Sequence, residues 1–196
     1  MLAFEIKINN SAPMIVAADN HVIADFTYGV LAINPNSVLI AGFDDFNKYV
    51  WLDGEIHHND EVHIRVVDVD KDKVSVPTKT TKKSLERLKE KYDKLQQKLK
   101  TQESDMKGII VKSRIAEKDD KTKVAIPNGI ATAALTISRN DEVVWGIGAM
   151  TMPEGKSLSW NGGRMNVGDS ISLKFTDVDE PGKPLSQEFE ESYHRR

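Results

Sequence analysis

An internal repeat constrains the fold of this chain more than any other feature of its sequence. Residues 51–70 align without a gap with residues 160–179, at an offset of 109 positions. The matched pairs are Trp51 with Trp160, Gly54 with Gly163, Asp60 with Asp169, Asp68 with Asp177 and Asp70 with Asp179. Strand patterning alone would not also match these residue types at one offset. We therefore interpret the two stretches as copies of one unit.

Both copies carry the pattern of β-strands. Residues 61–67 and 170–176 alternate polar and apolar side chains, which is the period of a strand with one face on a core and one in water. Other short apolar segments in each half are separated by Asn, Pro, Gly and Asp, which favour turns. We therefore predict a mostly β fold of two tandem homologous antiparallel sandwich or barrel modules, over residues 1–76 and 108–184.

The segment between the predicted modules has a different composition. Residues 77–107 contain ten Lys or Arg and five Asp or Glu, a net charge of +5, whereas the first module carries −7. Apolar side chains spaced by three and four residues form an a/d seam over about two heptads: Leu85, Leu88, Tyr92, Leu95 and Leu99. We predict a long coiled-coil-like α-helix over residues 82–104 that joins the modules, and a polar C-terminal tail over 185–196.

Three roles are open for this helix. It packs on the modules of its own chain, it pairs with the same helix of a second copy to form a homodimer, or its basic face meets nucleic acid or an acidic partner. Two heptads alone are marginal, so a dimer would need help from the modules. The formal net charge of −3 over 196 residues makes nucleic acid an unfavoured partner. The acidic first module suits a basic protein partner.

Trp51 and Trp160 occupy equivalent positions in the two copies. One interpretation is a flat module contact surface for a ligand or partner. The other, which we favour, is a tryptophan in or beside the core, because the side chain carries a large apolar area and an N–H that needs an acceptor.

Motifs that carry chemistry are absent or incomplete. The chain has no cysteine, which excludes a thiol nucleophile and Cys-ligated zinc. The run that starts at Asp68 imitates a calcium loop, but Lys73 and Lys79 stand where such a loop needs glycine and glutamate. His57, His58 and His63 suggest a zinc site only weakly, because the second copy lacks them. We predict no catalytic, cofactor-binding or metal-binding residue, and no enzyme.

The closing segment resembles the C-terminal end of short uncharacterised bacterial β-module proteins. The resemblance rests on the stretch from Leu158 to Trp160, on Val167-Gly168-Asp169-Ser170-Ile171-Ser172-Leu173, and on the acidic run that ends at Pro181. It covers about 25 residues in each half, less clearly in the first. The resemblance implies a bacterial or phage source and carries no known activity. Two modules in one chain depart from the single-module pattern.

Together these features predict a non-enzymatic protein–protein interaction protein. The specific expectation is a bacterial inhibitor of the immunity type, which masks a partner toxin of unknown identity. The alternatives are a structural subunit of a phage or secretion assembly, and an enzyme with an unrecognised site at the module interface. No signal peptide is evident and no apolar run approaches the roughly 20 residues that span a bilayer. We therefore expect a cytoplasmic protein with no membrane partner.

Overall fold

A computed structural model describes residues 1–29, 36–82, 107–125, 129–151 and 156–189. These residues form fourteen β-strands and one short 3-10 helix, Lys71–Lys73. The strands of the first half are β1 (Leu2–Ile8), β2 (Met14–Val16), β3 (His21–Gly29), β4 (Ser37–Phe43), β5 (Asn47–Glu55), β6 (Glu61–Asp68) and β7 (Lys79–Lys82). Those of the second half are β8 (Lys107–Ile115), β9 (Lys118–Ala125), β10 (Gly129–Ile137), β11 (Val143–Thr151), β12 (Lys156–Met165), β13 (Ser170–Asp177) and β14 (Ser186–Phe189).

The strands form two antiparallel sheets that enclose one hydrophobic core. The six-stranded sheet has the order β2-β1-β6-β13-β8-β9, and the eight-stranded sheet has the order β14-β12-β11-β10-β3-β4-β5-β7. In the central strands every second residue is buried, as in β10 and β13. This alternation leaves one face of each sheet for the core and the other for solvent.

The predicted fold class is wrong, because the two halves do not form separate modules. Each half contributes three strands to the six-stranded sheet and four to the eight-stranded sheet. The halves meet in the middle of both sheets, where β6 pairs with β13 and β3 pairs with β10. Periodicity in the sequence reports which face of a strand is apolar, but it does not report which strand lies beside it. The chain is mostly β, and it folds as one shared sandwich.

The repeat appears in the structure as a pseudo-twofold symmetry. Exchanging each strand of the first half with the strand seven places later reproduces the order of both sheets. Backbone hydrogen bonds follow the same exchange at the offset of 109. The Asn59 amide donates to the Phe175 carbonyl at 2.7 Å, and its counterpart, the Gly168 amide, donates to the Val66 carbonyl at 2.9 Å. The Phe175 amide donates to the Asp60 carbonyl at 3.1 Å, and its counterpart, the Val66 amide, donates to the Asp169 carbonyl at 3.0 Å. These bonds extend the central β6–β13 pairing at both ends.

The repeated aspartates hold equivalent turns. Each carboxylate accepts a hydrogen bond within the turn before β6 or β13 and a second bond from the turn after β1 or β8. Asp60 accepts from the His57 backbone amide and from the Asn9 side-chain amide, both at 2.7 Å. Asp169 accepts from the backbone amides of Asn166, at 2.8 Å, and Ala116, at 2.9 Å. Charged acceptors make the stronger class of hydrogen bond, which explains why both halves have aspartate at this position.

The predicted joining helix is also corrected. The part of the chain that the structure describes contains no α-helix, and Lys82, the first residue of the predicted helix, is the last residue of β7. Residues 83–104 of that prediction lie outside the described residues, and so do all five seam residues, Leu85, Leu88, Tyr92, Leu95 and Leu99. The predicted homodimer through the 82–104 helix therefore has no structural basis and is withdrawn.

The strand bounds also differ from the predicted segments at two places. Strand β7, which begins at Lys79 in the predicted connector, is an edge strand that pairs with β5. Strand β14, in the predicted C-terminal tail, pairs with β12 at the other edge of the same sheet.

Candidate functional site

The outer face of the six-stranded sheet carries an open depression at the junction of the two halves. Strand alternation directs one polar set outward on β6, β13 and β8. In the ladder, Ser170 lies opposite both Arg65 and Arg114, and Ser172 lies opposite both His63 and Lys112. We call these six residues the serine trough: His63, Arg65, Lys112, Arg114, Ser170 and Ser172.

The shape of the trough follows from side-chain length. The two serines of β13 are short, whereas the residues that flank them on β6 and β8 are long. The serines therefore form a low floor between two raised walls, in an open space of about 940 Å³. The Ser172 row continues outward to Lys7 on β1 and Lys121 on β9, and the Ser170 row continues to Glu5 and Asp119.

The trough is positively charged. Five cationic side chains line it, Lys7, Arg65, Lys112, Arg114 and Lys121, against three acidic ones, Glu5, Asp119 and Asp120. Within the described ranges, no ion pair joins any of these five cations to another residue. In the next row of the same sheet, by contrast, Lys174 pairs with Glu61 at 3.1 Å. Neighbouring unpaired cations repel one another, and an anion placed between them relieves that repulsion.

The pseudo-twofold axis passes through the trough. His63 and Ser172 face each other across the β6–β13 pair and are also counterparts at the offset of 109. Lys7 lies beside His63, and Lys112 lies beside Ser172, so these two lysines are counterparts as well. The trough is therefore formed by both halves together, and it exists only in the complete sandwich.

The two tryptophans lie inside the sandwich. Trp51 and Trp160 are 6% and 4% exposed, and both belong to the hydrophobic core. Their indole N–H groups donate to the carbonyls of Ser75 and Gly182, each at 2.6 Å. Each indole thus ties a segment that follows β6 or β13 to the eight-stranded sheet, and its buried N–H has an acceptor.

A second polar cluster joins the halves near one end of the sandwich. The Tyr28 hydroxyl lies 3.2 Å from His58 Nδ1, and His58 Nε2 lies 4.0 Å from an Asp177 carboxylate oxygen. Burial raises the pKa of Tyr28, and the charges of Asp177 and Asp60 raise it further. The Tyr28 side chain is fully buried, so its phenol is neutral and inaccessible to a substrate. The contact connects β3, the turn before β6 and β13.

The aspartate run and the histidines do not come together as a metal site in the described residues. Across the described ranges, no group of three or more His, Asp or Glu side chains is arranged to hold a metal ion. Asp68 instead contacts the amino group of Met1 at 2.9 Å, and this interaction lowers the pKa of the Asp68 carboxyl. No α-helix in the described part of the chain is long and apolar enough to cross a membrane.

Asp25 lies at the pseudo-twofold axis on the outer face of the eight-stranded sheet. It pairs with its own counterpart, Ala134, in the centre of the eight-stranded sheet. Burial raises the pKa of Asp25 above its ordinary value of 3.8, against the opposing effect of a hydrogen bond from the Phe26 amide. Its Oδ1 is buried and has no hydrogen-bond partner among the described residues. The ionised carboxylate therefore costs stability.

The change Asp25→Asn is expected to stabilise the protein in a pH-dependent manner. A raised folded-state pKa means that stability is complete below pH 3.8 and is lost as the pH rises through the folded value. The variant lacks this titration, so its free energy of unfolding should exceed that of the parent by about 1 kcal/mol near pH 7 and by almost nothing near pH 3. Urea unfolding at both pH values measures the difference. Asp53→Asn, an exposed acid two strands away, is the control; an equal gain there would contradict the role of burial.

Comparisons with protein-family models, curated proteins and solved structures give no match for this chain. The function is therefore inferred from the geometry and charge of the trough.

Sequence reasoning did not identify the trough. The alternation of Glu61, His63 and Arg65, against Ser170, Ser172 and Lys174, indicated outward-facing polar positions in both halves. It did not show that these two strands are neighbours, because the pairing of β6 with β13 crosses more than 100 residues of sequence.

Proposed function

We propose that the protein is a non-enzymatic binding protein whose serine trough receives an acidic segment of a partner protein. The observation that carries this proposal is the group of five trough cations on one concave face, none of which forms an ion pair with another residue in the part of the chain that the structure describes. An acidic partner would be steered toward this face by long-range attraction and held by charge-assisted hydrogen bonds. The net charge of −7 in residues 1–76 suggests a basic partner, whereas the trough suits an acidic one.

The arrangement of the interior supports binding rather than turnover. The space between the sheets is filled by core side chains, including Phe4, Phe26, Tyr28 and Phe175, all fully buried. The trough itself is open and shallow, and it lies on the outside of the sheet, so it does not exclude water as an active site usually does. An inhibitor of the immunity type is one form of this proposal, in which the trough covers an acidic surface of a toxin.

Charge reversal in the trough tests the proposal. The double variant Lys112→Glu/Arg114→Glu is expected to lower the affinity for poly-L-glutamate at least about tenfold at low salt, because it replaces two attractive charges by repulsive ones. Isothermal titration calorimetry or fluorescence anisotropy with labelled polymer measures the affinity. The parent protein should also bind more weakly as salt is added.

The matched control carries the same charge change elsewhere. Arg139→Glu/Lys79→Glu alters two exposed cations that lie outside the six-stranded sheet, and its affinity should stay within about twofold of the parent because the affected charges are distant and screened. Equal losses in the two double variants would show that net charge alone governs binding, and the proposal would be rejected. Circular dichroism melts of both variants establish that each remains folded.

A further inference from the structure

The trough contains the same three-residue arrangement twice. Arg65, Ser170 and Arg114 form one row across β6, β13 and β8, and His63, Ser172 and Lys112 form the next. In each row a serine hydroxyl lies between two side chains that donate hydrogen bonds. Because alternate residues of a strand point to the same side, the two rows are spaced by about 6.8 Å along β13.

Each row has the dimensions of a subsite for one carboxylate. The flanking residues are two strand spacings apart, about 9.6 Å between their backbones, and their side chains are long enough to reach a ligand placed above the serine. A carboxylate above the serine would accept a hydrogen bond from the hydroxyl and from a donor on either side, which is an arginine on both sides of Ser170, and Lys112 and the His63 ring N–H on the two sides of Ser172.

We infer that the ligand of the trough is an extended acidic segment with carboxylates at positions i and i+2, lying along β13. This inference rests on the proposed function and names its ligand more closely. Alternate side chains of an extended chain point the same way and are about 6.8 Å apart, which matches the spacing of the two rows. An α-helix, about 10–12 Å wide with its side chains, is too broad to reach the serine floor between the walls.

The composition of the trough favours a protein segment over a nucleic acid. Glu5 and Asp119 stand at the two ends of the Ser170 row, where they would repel the backbone of a nucleic acid that is broader than an extended peptide lying along β13. The residues that line the trough include no Phe, Tyr or Trp, the side chains that give bases their broadest stacking surfaces.

A peptide series tests the spacing on the full-length protein. Peptides of identical composition carry two glutamates in a Ser/Gly background, at i and i+1, at i and i+2, or at i and i+3. The i,i+2 peptide is expected to bind at least about fivefold more tightly than the others, since only it presents both carboxylates to the two serines at once. Fluorescence anisotropy measures the affinities.

Variants of the floor supply a second readout. Ser170→Ala and Ser172→Ala each remove one hydroxyl without adding bulk, and either change should reduce the preference for the i,i+2 peptide to about twofold or less. Ser157→Ala changes an exposed serine of the other sheet and should leave the preference intact.

The outcomes separate this inference from the proposed function. Equal binding of the three peptides, with poly-L-glutamate still dependent on Lys112 and Arg114, would overturn the i,i+2 spacing and leave the acidic partner standing. If the affinity for poly-L-glutamate does not depend on Lys112 and Arg114, both the i,i+2 spacing and the acidic partner are overturned. Tighter binding of a single-stranded oligonucleotide of the same charge, dependent on the same cations, would assign the trough to nucleic acid and reject the acidic segment.

Discussion

Replacing Phe175 by alanine is expected to lower the free energy of unfolding by about 3–5 kcal/mol. Phe175 lies on β13 of the six-stranded sheet and is fully buried. Its ring contacts Tyr28 edge-on, with ring centroids 5.4 Å apart, and Phe26 at 6.2 Å. Both partners lie on β3, in the other sheet and the other half. The substitution would remove the packing that joins the sheets and the halves at the same point.

Urea or guanidinium unfolding monitored by circular dichroism measures this loss. Phe46→Ala is the matched control, because Phe46 is 78% exposed and its truncation should change stability by no more than about 0.5 kcal/mol. A loss below about 1 kcal/mol for Phe175→Ala would show that the sheets do not depend on this contact.

Replacing Gly108 by valine is expected to destabilise the protein by about 3 kcal/mol or more. Gly108 is buried on β8. A Cβ at this position would collide with the Val124 carbonyl oxygen and lie 2.6 Å from the Ala125 Cβ and 2.9 Å from the Val178 Cγ2. Two of these obstacles belong to β9 and one is a backbone atom, so the β8–β9 pair must move to admit any side chain.

Because Gly108→Val can fail to fold, Gly108→Ala supplies a milder form of the same change. Thermal melts should place its midpoint below that of the parent and above that of the valine variant. Gly146→Ala is the control, because an added Cβ there meets no atom within 4 Å. Alanine loses less conformational entropy than glycine on folding, by about 0.5–1 kcal/mol, so the midpoint of this variant should not fall below that of the parent. An unchanged midpoint for Gly108→Ala would contradict the close approach of β8 and β9.

Sequence patterns correctly predicted which face of a strand is buried. Val62, Ile64 and Val66 alternate with polar residues in the sequence, and in the structure they face the core. Asp60 and Asp169 matched at one offset, and both carboxylates bind turn amides. These features are local, because a strand's own side chains decide which face it buries and a turn's own amides decide what caps it.

Sequence patterns did not predict the trough, because they do not show which strands are neighbours. Arg65 and Arg114 are 49 positions apart in sequence, and Ser170 is a further 56 positions away, yet all three form one row. No local preference brings them together. Their arrangement depends on the pairing of β6 and β8 with β13, which is selected by the fit of the whole core rather than by any strand alone.

By itself, the sequence determined that the chain is repeated, that its strands have one apolar face, and which tryptophans and aspartates the two halves share. Only the tertiary structure decided that the repeats interleave in one sandwich and that their polar faces meet in a single trough. The physical reason is that side-chain periodicity is a property of one strand, whereas strand pairing is a property of two. Within one half, β3 and β6 each pair along one edge only, with β4 and β1, and their other edges have no partner until the other half supplies β10 and β13.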